Sequence, residues 1–99
     1  MKKVVIARYD VKPGMVDELA REVKESGLQG LYEKQPGNLY FKFAIPLDEP
    51  NKFYLTDVWD NEESFQAHLH CDVAKLWAAI KAKYVIGSEA MKYDCTSDD

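Results

Sequence analysis

Residues 3–11, KVVIARYDV, form a run of β-branched, aromatic and other apolar side chains that stops at Lys12-Pro13-Gly14. A run of this kind closed by a turn signal predicts a first strand. Beyond the turn the period changes. Val16, Leu19, Ala20 and Val23 recur at helical spacing, while Asp17, Glu18, Arg21, Glu22, Lys24 and Glu25 fill the opposite side. Leu28, Leu31 and Tyr32 prolong the pattern past Gly27 and Gly30 until Gln35-Pro36-Gly37 breaks it. The expectation is one helix from about 14 to 33, bent near Gly27.

Two further strands follow, NLYFKFAI at 38–45 and FYLTDVW at 53–59, around the polar loop PLDEPN. Alternation places Leu39, Phe41, Phe43 and Ile45 on one face of the first of these. Asp60 then stands where a helix cap belongs, with Glu63 three positions on as the other half of a capping box. Phe65, Leu69, Val73, Leu76 and Ile80 continue an apolar stripe that Cys71-Asp72 divides into two pieces. Tyr84 to Tyr93 reads as a fourth strand, with Gly87 as a bulge or a point of close approach. The order β-α-β-β-α-β is that of an α+β, ferredoxin-like sandwich with both helices on one sheet face. It occupies a single domain, 1–93, followed by a polar tail, 94–99, with nothing to bury.

The other sheet face is also apolar. Tyr40 as well as Phe41, and Tyr54 and Val58 as well as Leu55 and Trp59, put large side chains on both sides of their strands. A lone two-layer sandwich leaves such rings in water. A homodimer packed sheet against sheet through one self-complementary patch removes that problem, although a ligand cavity between sheet and helices draws on some of the same residues.

Composition narrows the partners. At 99 residues, 46% hydrophobic and 30% charged, the chain is an ordinary globular domain. Its net charge of -4 has no basic stripe to follow a phosphate backbone or an anionic bilayer, which argues against nucleic acid and membrane surfaces. The N-terminal apolar run is cut short by Arg8 and Asp10, and no segment reaches the length of a membrane span. Cys71 and Cys95 lie far apart, as free thiols do, and a cytoplasmic address follows as the default.

The stretch DVWDNEESFQAHLHC, residues 57–71, concentrates the candidate chemistry. His68 sits at the edge of the apolar stripe, whereas His70 lies about 200° further round a helix. The two do not share a metal, since joint ligation from a helix needs i and i+4 spacing, and no metal is assigned. His68 is either a partly buried structural histidine or a proton-transfer group. Asp57 shares strand parity with Trp59, and as a carboxylate in an apolar strand it needs a donor or a raised pKa. It is either an acceptor for a neighbouring strand or Arg8, or an acid of the site. Trp59 fits the core as well as a substrate platform. Asn38, after Pro36-Gly37, fits a turn as well as the rim of a cavity. Trp77 reads as packing. Phosphate loops, dinucleotide fingerprints, nucleophile elbows and zinc spacings are missing from the sequence.

Two segments carry a family likeness: VVIARYDVKPGMVDEL with EKQPGNLYF, and FYLTDVWDNEESFQAHL, a strand ending in acid-x-aromatic, then an acidic turn, then a helix with Ala-His. In these, and in organisation over nearly all of residues 3–93, the chain resembles the antibiotic biosynthesis monooxygenase (ABM) domain family. The resemblance implies a dimeric α+β barrel with a pocket between sheet and helices in each subunit, and oxygenation of quinols or polyphenolic rings without metal, flavin or other cofactor. It places Asp57, Trp59 and His68 on family positions, with His68 as base or donor and Trp59 and Asn38 shaping the pocket for a small aromatic substrate. The chain departs from the family pattern at His70, which does not match the second histidine of many relatives. Ala78 stands where haem-degrading relatives carry their iron ligand, which disfavours haem.

A cofactor-free monooxygenase is therefore the first functional expectation. Two others accompany it: a small-ligand-binding or stress-response module of the same fold, and a proton-transfer isomerase, which needs a basic anion site.

Overall fold

Strands β1 (Lys2–Val11) and β3 (Lys52–Trp59) show the clearest period of two. In the computed structural model, which describes residues 1–96, Val5, Ala7, Tyr9 and Val11 of β1 and Phe53, Leu55, Asp57 and Trp59 of β3 are all buried. The two strands pair antiparallel from Lys3↔Trp59 to Asp10↔Lys52. They form the middle of a four-stranded antiparallel sheet in the order β2-β3-β1-β4, with β2 (Asn38–Ala44) and β4 (Val85–Cys95) at its edges. Helices α1 (Val16–Ser26), α2 (Leu28–Glu33), α3 (Glu62–His68) and α4 (Asp72–Tyr84) supply the rest of one core, through Leu19, Val23, Leu28, Tyr32, Phe65, Trp77 and Ile80. Full burial of a side chain such as Leu19 or Leu28 is worth about 1.5–3 kcal/mol. This is the expected α+β ferredoxin-like architecture.

Local departures from expectation have physical causes. The first helix is two helices, because Gly27 adopts φ 71° and closes α1 with its N–H on Lys24 O. Only glycine enters that left-handed region without steric cost. Leu39 does not join Phe41 on the inner face. Asn38 opposes Trp59 and Tyr40 opposes Val58, so Leu39 is an extra residue in a bulge and lies exposed. Ile45 falls beyond the end of β2 and is exposed as well.

The cap of α3 is Asn61 rather than Asp60. Its side chain accepts from Ser64 N at 2.8 Å, and Asp60 uses its own N–H to reach Gly37 O at 2.8 Å. The helical break at 69–71 resets the stripe, leaving Leu69 and Leu76 outward and His68 and Trp77 inward. Near Gly87 the ladder with β1 steps from Asp10↔Gly87 to Val11↔Val85, so the bulge falls on Ile86. A Cβ on Gly87 would stand 3.1 Å from Asp10 Oδ2. Strand β4 continues beyond residue 93, since Asp94 and Cys95 pair with Lys3 and Lys2; residues 97–99 of the tail lie outside the described residues.

The sheet face away from the helices is apolar, as the sequence suggests. Val4 aligns with Val58 on one side and Tyr93 on the other, Val58 with Tyr40, and Ile6 with Met91. Tyr40, Met91 and Tyr93 are each about half exposed there. At the β2 edge, Gln29 of α2 turns its Oε1 onto the outward N–H of Phe43 at 3.3 Å. Among the described residues no helix is long and apolar enough to cross a membrane.

Candidate functional site

Helix α3 delivers His68 to the interior. The Asn61 cap sets its start, Lys3 holds Glu62 at 2.7 Å, and Phe65 and His68 then fall one turn apart on the buried face. The helix ends at His68, whose carbonyl accepts from Cys71 N at 3.5 Å and from Cys71 Sγ at 3.1 Å. These contacts fix the tight turn into α4. The imidazole stacks on Trp59 at 4.4 Å between centroids, with the Tyr32 ring edge-on at 5.2 Å and Phe65 at 5.6 Å. His70, on the exposed side of the turn, takes no part.

Asp57 completes the cluster from the strand side. Trp59 Nε1 donates to Asp57 Oδ2 at 2.6 Å, and His68 Nε2 lies 3.9 Å from the same oxygen. Arg8, the other partner considered for Asp57, pairs with Glu89 instead. Burial controls both titrations. It pushes the Asp57 carboxyl up to about 6 against the opposing Trp59 hydrogen bond, and pushes His68 down to about 4. At neutral pH a neutral imidazole therefore sits beside an ionised carboxylate. His68 Nδ1 is buried without a hydrogen-bond partner among the described residues.

Asp57 and His68 open onto a cavity of about 400 Å³ between the sheet and helices α3 and α4. Val5, Ala7, Leu55, Phe65, Ala74 and Ala78 give it apolar walls, and Tyr9, Tyr32 and Trp77 line it with aromatic rings. Its open volume has a sequence cause: β4 turns the small side chain of Ala90 inward opposite Ala7. Burial raises the Tyr9 phenol, opposed by the nearby Trp77 indole, whose Nε1 is buried outside hydrogen-bond geometry. Burial also raises Tyr32. Lys81 and Lys92 bring positive charge to the lining.

Three of the four expected site residues thus meet. Trp59 stands behind His68 rather than on the cavity wall: it is fully buried and borders a second, smaller cavity of about 220 Å³ that His68 also touches. Asn38 is not in the cluster, because its Nδ2 donates back to Tyr40 O at 3.2 Å across the bulge. Tyr9, Tyr32, Trp77, Lys81 and Lys92 were not anticipated. The sequence pointed to Trp77 only as packing, and to the lysines not at all. Among the described residues, no three His, Cys, Asp or Glu side chains converge as a metal-ligand set.

A ferredoxin-like α+β sandwich with a histidine-bearing pocket under its helices defines the class. The profile of the family described as Antibiotic biosynthesis monooxygenase matches residues 3–79, and the chain belongs to that family. Solved structures agree on the fold. A protein from Nitrosomonas europaea, assigned by name to the antibiotic biosynthesis monooxygenases, superposes with a TM-score of 0.84 at 18% identity, covering 96% of this chain and 99% of that one. A conserved protein from Methanosarcina mazei Go1 gives 0.82 at 22% identity, with 94% and 91% covered. A protein from Pseudomonas aeruginosa gives 0.82 at 14%, with 97% and 95% covered. No curated protein matches the chain.

Proposed function

We propose that this protein is a cofactor-independent monooxygenase that oxidises a small phenolic or quinol ring with O₂, using His68 as its base. The observation that carries the reading is the buried neutral imidazole, held by Trp59 beside ionised Asp57 at the edge of an apolar cavity. The imidazole takes the phenolic proton, and Asp57 stabilises the imidazolium formed. The electron-rich anion passes one electron to O₂, and the two radicals recombine into a C–O bond. The resulting peroxide takes up a proton and loses water, leaving a carbonyl. One oxygen atom enters the product and the other leaves as water.

Oxygen uptake with a panel of reduced quinones and anthrone-like phenols tests the reading; His68→Ala is expected to lower the rate at least about 100-fold. An unchanged rate removes His68 from the mechanism. Ligand-dependent stabilisation without turnover in air instead leaves a binding module.

The same proposal includes a homodimer closed over the outer sheet face, supported by the half-exposed Tyr40, Met91 and Tyr93. Sedimentation as a monomer at micromolar concentration would defeat it. The two free cysteines suit the reducing cytoplasm. A second reading, a proton-transfer isomerase, is favoured by Lys81 and Lys92 at the cavity, and it turns over equally well without oxygen.

A further inference from the structure

Lys81 is half-buried on α4, with its ammonium 5.5 Å from the Tyr9 ring centre and 5.3 Å from that of Trp77. Among the described residues it has no carboxylate within ion-pair distance, unlike Lys3, Lys42, Lys52 and Lys83. Burial alone pulls its pKa down. Ring faces compensate part of the cost of removing this charge from water, but a half-buried ammonium is normally matched by an anion.

The cavity supplies room for one. Ala74, Ala78 and Lys81 lie on one face of α4, so small side chains leave a clear path along the helix to the ammonium. Lys92 enters the same cavity from β4, over the Phe65 ring at 5.5 Å. Glu62, which feels the Lys92 charge, is already bonded to Lys3 at 2.7 Å. Among the described residues the only acid of the lining is Asp57, 2% exposed and bonded to Trp59.

We propose that Lys81, assisted by Lys92, binds the carboxylate of an aromatic acid whose ring occupies the apolar part of the cavity beside His68. This rests on the reading of the cavity as a substrate site. A carboxylate fits better than a phosphate. Lys81 belongs to the last turn of α4, where the helix dipole is negative, and that end disfavours a dianion. The lining also lacks an arginine fork.

The test is binding, read by tryptophan fluorescence and calorimetry without turnover. The probes are 2,5-dihydroxybenzoate, its methyl ester, hydroquinone and hydroquinone monophosphate. The acid is expected to bind about tenfold tighter than the ester, with the advantage shrinking as salt rises. Lys81→Met, which keeps the chain length and ring contact, is expected to bring the acid down to the level of the ester, and Lys81→Arg to restore most of the gap. Circular dichroism confirms folding of each variant, and Lys92→Met provides a second reading, with partial loss of the preference. Equal binding of acid and ester to the wild type overturns the proposal while leaving the cavity as a site for neutral rings. Tighter binding of the monophosphate overturns the choice of carboxylate. No binding of any probe overturns both this proposal and the reading of the cavity on which it rests.

Discussion

The Asp57–His68 pair makes an unusual demand on the dependence of stability on pH. Folding moves Asp57 from 3.8 to about 6 and His68 from 6.5 to about 4. Each displacement corresponds to about 3 kcal/mol at 1.36 kcal/mol per pKa unit, with opposite sign. Asp57, raised on folding, contributes stability that is present below pH 3.8 and is lost as pH rises through 6. His68, lowered on folding, contributes a loss that is absent above pH 6.5 and grows as pH falls towards 4. Between those limits both states hold one proton on the pair. It sits on the imidazole in the unfolded chain and on the carboxyl in the folded one, so the two slopes cancel.

Single substitutions expose each half. Asp57→Asn is expected to lose about 3 kcal/mol relative to wild type between pH 6.5 and 4, because the buried imidazole is then alone in resisting protonation. His68→Phe, which keeps a ring against Trp59, is expected to gain about 3 kcal/mol relative to wild type over the same interval. Urea denaturation at half-unit steps from pH 4 to 7.5 measures both. Asp10, Glu22 and Glu62 are held low by hydrogen bonds to Lys52, Lys83 and Gln66 respectively, and they add an acid-side loss common to all three proteins. Differences from wild type remove it. Difference curves that are flat, or that slope the same way, would refute the reasoning.

Three other outcomes are expected. Trp59→Phe removes the only hydrogen-bond donor that Asp57 has among the described residues and leaves a buried acceptor, so stability should fall by about 1–3 kcal/mol at pH 7. The Asp57 carboxyl, followed by carbon-detected NMR titration, should move above its present value of about 6. Asn61→Ala should cost about 1 kcal/mol in chemical denaturation through loss of the α3 cap, while Asp60→Ala leaves that hydrogen bond to Ser64 in place. Gly37→Ala should cost about 2 kcal/mol or more, since residue 37 sits at φ 84° and a Cβ there collides with the Ser64 and Asp60 side chains.

The parts of the fold most legible in the sequence are those whose pattern is enforced from both sides. Val5 to Val11 and Phe53 to Trp59 belong to central strands, paired on both edges and covered on one face, and their alternation survives intact. Leu39 misleads because one inserted residue inverts the faces before it. Leu69 and Leu76 mislead because a helical period has no meaning across the break at 69–71, between the end of α3 and the start of α4. His68 is legible as the last inward residue of its helix. Trp59 has the parity of a pocket wall, but the stacked imidazole screens its ring from the cavity, and strand parity carries no trace of that screening. Lys81 and Lys92 escape any one-dimensional reading. They come together through the packing of α4 near β4, and neither segment carries a mark of the other.

The contact between Gln29 and Phe43 bears on how the molecule behaves in a crowded solution. A sheet with a free edge is a template on which any extended chain can add itself, strand upon strand, until soluble molecules become a fibre. At the β2 margin, the amide nitrogen of Phe43 that an arriving strand would need is already engaged by a side chain of the neighbouring helix. Growth on that side must first dislodge a glutamine, so the residue that looks like a minor polar contact acts as a stop against polymerisation.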